Sequence, residues 1–125
     1  MSDKSIETIC ICAPNKFHKD LIIDSLKSDK FVFCEKPIAT NLEEAKEIYE
    51  ISKKFPNRLQ IGSNHRYFES VKFSKKLLDA SEIGDVLSFS GRIGHDGERI
   101  KNSWFWKREL SGGGTLIDNG CHLLD

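Results

Sequence analysis

Two short apolar runs, Thr8-Ile9-Cys10-Ile11-Cys12 and Phe31-Val32-Phe33-Cys34, flank a series in which Phe17, Leu21, Ile22 and Leu26 recur among polar residues. The runs are rich in β-branched and aromatic side chains, which suit strands, and the intervening spacing is that of an amphipathic helix. Strand, helix and strand in that order require parallel strands joined by a right-handed crossover. A second helical series, Leu42, Ala45, Ile48, Tyr49 and Phe55, follows, with Asn41 at its N-cap and Glu44 in the place of a capping-box partner. Pro56-Asn57 ends it, and Leu59-Gln60-Ile61 before Gly62 supplies a third strand. This alternation predicts an α/β fold, part of a doubly wound parallel sheet.

From residue 64 the pattern changes. Val71, Ser74, Leu77 and Leu78 predict a helix ending near Ser81, and after Gly84 the residues alternate. Leu87, Phe89, Gly91 and Ile93 fall on one face, and Val86, Ser88, Ser90 and Arg92 on the other, as in a half-wet antiparallel strand. The last segment opens with Gly112-Gly113-Gly114, then sets Ile117, Cys121 and Leu124 on one side of a helix and Asp118, His122 and Asp125 on the other. Residues 1–63 are therefore expected to form one unit, and residues 64–125 the start of an α+β second domain.

Charge and composition narrow the partners. Lysine plus arginine equals aspartate plus glutamate at 19 each, so overall charge favours neither nucleic acid nor an anionic membrane surface. No apolar stretch approaches the roughly 20 residues that span a bilayer, and Met1-Ser2-Asp3-Lys4-Ser5 has no secretory apolar region. A cytoplasmic protein is expected. Four cysteines, at 10, 12, 34 and 121, sit in apolar segments without a CxxC pair, which predicts reduced, buried thiols. Cys10, Cys12 and Cys34 also allow a three-thiolate metal site to be drawn, although no metal is expected.

Chemistry concentrates at strand ends. In open α/β sheets ligands bind beyond the carboxyl ends of the strands, and Lys36 in Phe33-Cys34-Glu35-Lys36-Pro37 stands there. Asp118 lies one helical turn before His122, the spacing at which a carboxylate orients an imidazole or stabilises its charged form. Taken singly, Lys36 is also compatible with a solvated loop, and Asp118 and His122 with a surface pair or, with Asp125, a metal site. The glycine run either cradles a phosphate or permits a tight turn and close approach. Trp104 and Trp106 form either a pocket wall or a packed aromatic cluster.

Four ordered motifs, Ala13-Pro14-Asn15 with His18, Cys34-Glu35-Lys36-Pro37, Asn64-His65-Arg66-Tyr67-Phe68, and Gly112-Gly113-Gly114-Thr115 leading to Asp118-Asn119-Gly120-Cys121-His122, together resemble the Gfo/Idh/MocA oxidoreductases. That family includes inositol and glucose-fructose type dehydrogenases, and the resemblance covers nearly the whole chain. It implies the second half of a Rossmann-type parallel sheet in residues 1–63 and the start of a substrate and oligomerisation domain in residues 64–125. It implies hydride transfer between NAD or NADP and a sugar, polyol or related secondary alcohol, in an enzyme whose parent form is a homo-oligomer. Carried over residue by residue, Lys36, Asp118 and His122 are catalytic, and Pro14, Asn15, His18, Glu35 and Lys36 bind the cofactor. Asn64, Arg66 and Trp104 lie on the substrate side. The chain departs from the family pattern in having no GxGxxG turn after a strand. Two expectations follow: an internal fragment of a dehydrogenase with weak cofactor binding, or a non-catalytic remnant or regulatory and interaction module of the same fold.

Overall fold

A computed structural model describes residues 3–125. Strands β1 (Thr8–Ile11), β2 (Phe31–Glu35) and β3 (Leu59–Gly62) form one parallel sheet in the order β1-β2-β3. Helices α1 (His18–Lys27) and α2 (Leu42–Ser52) make the two connections. Ile9 pairs with Val32 and Ile11 with Cys34 across the first ladder, and Val32 with Leu59 and Cys34 with Ile61 across the second. These side chains share the face on which Ile22 and Leu26 of α1 and Ile48 of α2 complete the core.

The opposite face of the sheet is open. Successive residues of a strand point to opposite sides, so Val32 and Cys34 are buried while Phe31 and Phe33 remain 48% and 39% exposed. Arg58 covers part of Phe31, its guanidinium 4.9 Å from the ring centroid. The same alternation corrects the expectation for the thiols: Cys34 is buried and Cys121 half-buried, but Cys10 and Cys12 are exposed. Cys10 is registered opposite Phe33, whereas Cys34 is registered opposite Ile11. Cys10 and Cys34 therefore lie on opposite sides of the sheet, and the three thiols form no metal-holding group among the described residues.

Local chemistry explains the helix starts. Asn41 Oδ1 accepts the Glu44 N–H at 2.9 Å, capping α2. Glu44 Oε2 reaches back one residue further than a capping box requires, accepting from Thr40 N at 3.0 Å and Thr40 Oγ1 at 2.7 Å. Thr40 is thereby fixed, which matters where the second half of the chain meets it.

That second half contains α3 (Glu69–Asp79), α4 (Arg108–Ser111), a π-helical turn at Leu116–Gly120 and α5 (Cys121–Leu124). The antiparallel strand expected over residues 86–93 is not formed, and Val86, Leu87 and Phe89 are 61%, 94% and 77% exposed. Alternation selects an extended backbone with two faces, but a strand exists only when a neighbour supplies its hydrogen bonds. No described strand pairs with this segment. No helix among the described residues is long and apolar enough to cross a membrane.

Phe31, Phe33, Phe73, Leu87 and Phe89 all leave large apolar side chains exposed, surface that association would cover. Sedimentation of the purified chain is expected to show association, and heating a broad transition. A monodisperse monomer with a sharp cooperative transition would contradict this.

Candidate active site

Lys36 follows the last residue of β2 and precedes Pro37, to which it is joined by a cis peptide. Its ammonium meets Asp118, 82 residues away in sequence, donating to Oδ1 at 3.0 Å and to the main-chain oxygen at 2.7 Å. The side chains are 21% and 22% exposed, so water screens the pair only in part. Asp118 sits in the π-helical turn, where the widened backbone departs from the regular α-helical ladder. Its main-chain oxygen also lies 3.1 Å from Cys121 Sγ, and Oδ2 accepts from Asn119 Nδ2 at 3.1 Å.

Asp118 therefore does not orient His122 as the one-turn spacing predicts. Its carboxylate is taken by Lys36 and Asn119, and His122 Nδ1 is buried with no hydrogen-bond partner among the described residues. The His122 ring instead lies flat on His65, centroids 3.8 Å apart and planes at 15°. Burial pushes the His122 pKa below the ordinary histidine value, and the positive charges of Lys36 and His65 push the same way, against Asp118 and Asp125. A base with this bias is neutral, and able to accept a proton, across the neutral pH range.

Asp125 is the anchor of a separate network. It accepts from Ser63 Oγ at 2.5 Å, Arg66 Nε at 2.7 Å and Arg66 Nη2 at 2.6 Å. Hydrogen bonds from Arg66 and Ser63 hold its carboxyl at about 2. Arg66, expected on the substrate side, is thus paired within the protein. Asn64 is exposed at the start of the 3-10 turn Asn64–Tyr67. Trp104 stacks on Phe105 at 4.0 Å, and no hydrogen bond, ion pair or ring contact joins it to Lys36, Asp118 or His122 among the described residues.

Two residues expected to line a cofactor are hydrogen-bonded to main-chain oxygens. His18 is wholly buried, with Nδ1 2.8 Å from the Pro37 carbonyl oxygen and Nε2 2.8 Å from that of Ala13. A carbonyl oxygen only accepts, so the ring nitrogens face main-chain acceptors and none is directed at a ligand. Asn15 is 3% exposed and donates from Nδ2 to the Ser111 carbonyl at 2.8 Å, tying the turn after β1 to the end of α4. Pro14, Glu35 and Lys36 remain half-buried at the same end of the sheet. Glu35 Oε2 accepts from the Lys36 N–H at 3.3 Å.

The glycine run resolves in favour of close approach. Gly112 has φ +83°, and a Cβ there would lie 2.7 Å from the Cα, Cβ and carbonyl oxygen of Thr40. Only glycine permits that approach without displacing backbone. Thr40, Asn15 and Lys36 are thus the points where the first half of the chain grips residues 111–118. His65 was not among the residues singled out from sequence. It sits in the same motif as Asn64 and Arg66, and spacing alone does not show which member of a 3-10 turn faces His122.

Comparison with known proteins supplies an independent finding. A family profile described as an oxidoreductase family with an NAD-binding Rossmann fold, GFO_IDH_MocA, matches residues 1–63, and a GFO/IDH/MocA C-terminal domain profile matches residues 71–125. The chain is 30% identical to levoglucosan dehydrogenase of Pseudarthrobacter phenanthrenivorans, a match covering 100% of this chain and 33% of that protein. It is 36% identical to inositol 2-dehydrogenase of Salmonella typhimurium over 74% of this chain and 28% of the relative. A solved levoglucosan dehydrogenase in complex with NADH and levoglucosan superposes with a TM-score of 0.87 at 30% identity, over 98% of this chain and 34% of the other. The chain spans about a third of the length of the curated relatives it matches.

Proposed function

The chain belongs to the GFO/IDH/MocA oxidoreductase family, and from that premise we propose that Lys36, Asp118 and His122 serve hydride transfer between a nicotinamide cofactor and a secondary alcohol of a sugar or polyol. The observation that carries this reading is the Lys36–Asp118 contact, which brings a strand-end cation to the helix bearing His122. The relatives named for levoglucosan and inositol support the substrate class.

The residues present fit the nicotinamide end of such a cofactor. Glu35 ends β2, and Pro14 and Lys36 follow the carboxyl ends of β1 and β2, the ligand side of an open α/β sheet. NAD or NADP, when bound, accepts the hydride. Oxidation of the alcohol would also require the hydroxyl proton to leave to a base. His122 is that base. Lys36 donates two of its three hydrogens to Asp118 and directs the third to the alcohol oxygen, where negative charge develops. Asp118 fixes the ammonium in place.

Incubating the chain with NAD or NADP and a panel containing a hexose, an inositol and an anhydro sugar is expected to form reduced nicotinamide with at least one member. His122→Ala is expected to slow that reaction by roughly 10²- to 10⁴-fold, the usual worth of a general base. Because burial and neighbouring cations depress its pKa, the wild-type rate should fall only as pH drops below the ordinary histidine range. Saturable cofactor binding without transfer to any member would instead identify a non-catalytic module.

A further inference from the structure

We infer that His65 is a positioning residue for His122, fixing the plane of the second ring by stacking flat against it. This rests on the reading of His122 as the base. The need for a positioning residue follows from where Asp118 points: its carboxylate binds Lys36 and Asn119, and His122 Nδ1 has no hydrogen-bond partner among the described residues. An imidazole without a polar anchor turns freely about its last side-chain torsion unless packing stops it. The ring of His65, 3.8 Å away and inclined by 15°, covers one face of His122 and opposes that turn.

His65 is itself held. The Phe68 ring lies 4.6 Å from it at 30°, and the turn closes through the Phe68 N–H to the His65 carbonyl at 3.1 Å. The same turn is fastened to the chain just past α5, because Ser63 and Arg66, on either side of His65, both bind the Asp125 carboxylate. Residues 63–66 therefore grip the last segment at two places three residues apart, by a ring on His122 and by hydrogen bonds on Asp125. An aromatic contact fixed at both ends gives a defined orientation, and orientation errors at a reacting group are costly in rate.

The stack also affects charge. The groups facing His122 are Lys36 from the end of β2, Asp118 from the π-helical turn, His65 from the 3-10 turn, and Asp125, which is paired with Arg66. Two imidazoles in face contact resist becoming cations together. His65→Phe retains a flat ring while removing the ionisable group, and His65→Ala removes both, so the two substitutions separate packing from charge.

Nuclear magnetic resonance of histidine-labelled chain reads this without any turnover. Wild type should show His122 ring signals displaced by the neighbouring ring and titrating below the ordinary histidine range. His65→Ala should lose the displacement, whereas His65→Phe should keep it and move the titration to higher pH. In turnover assays His65→Ala should lower kcat by about tenfold with KM changed less than about twofold, and His65→Phe should recover most of kcat. Unchanged His122 signals in His65→Ala, or no recovery of kcat by a folded His65→Phe, would overturn the inference. If the chain transfers no hydride while the signals behave as described, the positioning of His122 stands and the assignment of His122 as the base fails.

Discussion

Lys36→Met is expected to reduce the rate of hydride transfer by roughly 10²- to 10³-fold, about 3–4 kcal/mol of transition-state stabilisation, with a much smaller effect on cofactor binding. Methionine keeps the length of the side chain and loses every donor. The alcohol oxygen then has no cationic hydrogen bond as charge develops on it, and Asp118, 22% exposed, keeps its charge without its ion-pair partner. Steady-state kinetics on the responsive sugar or polyol would check this. A decrease confined to KM would mean that Lys36 binds substrate and transition state equally, and the role assigned to it would be wrong. Lys36→Arg should not restore activity fully, because a planar guanidinium does not present the compact ammonium that reaches Asp118 Oδ1 and its main-chain oxygen together.

His18→Leu is expected to cost about 1–3 kcal/mol of stability, from a buried main-chain acceptor losing its donor. Leucine comes close to the volume of the ring, so little of the loss comes from a cavity. Ala13 and Pro37 belong to the turns that follow β1 and β2, and His18 is the only side chain hydrogen-bonded to both among the described residues. Loosening them frees the segment that carries Lys36. Denaturant titration of His18→Leu should show a lowered midpoint, with His18→Gln between it and the wild type, since an amide N–H restores a donor. A midpoint shift worth less than about 0.5 kcal/mol would show that water or rearranged backbone satisfies the carbonyls instead.

Most of the first half of the fold was legible because its signals are local. The runs at residues 8–12, 31–34 and 59–61 became the three strands, and Asn41 caps α2 as its position before the apolar series predicts. The helical series read from Phe17 lost only that residue, which lies in a 3-10 turn and stays 46% exposed. What failed depended on neighbours. The alternation over residues 86–93 describes a backbone ready to pair, and sequence does not state whether a pairing edge is beside it. Cys10 lies in an apolar run, yet the register opposite β2 turns it to the uncovered face.

The site shows the same division. Lys36, Asp118 and His122 were singled out by residue type and by the motifs around them, and a hydrogen bond joins the first two across the chain. Their pairing was not legible. One-turn spacing favours Asp118 with His122, but a cation arriving from β2 competes for the carboxylate and takes it. His18 and Asn15 carry polar groups suited to a ligand, and nearby main-chain oxygens claim those groups first. His65 carried no signal of its own, since its importance lies in a ring contact made through tertiary packing.

The central claim is that residues from the two halves of this chain converge to move a hydride and a proton. Its most direct measurement is isotope transfer: the chain is incubated with NAD or NADP and a sugar or polyol deuterated at the reacting carbon, and the nicotinamide ring is examined for deuterium. The account predicts deuterium on the nicotinamide ring with wild type and its loss with Lys36→Met. Saturable nicotinamide binding with no deuterium transferred, or equal transfer by wild type and Lys36→Met, would contradict it.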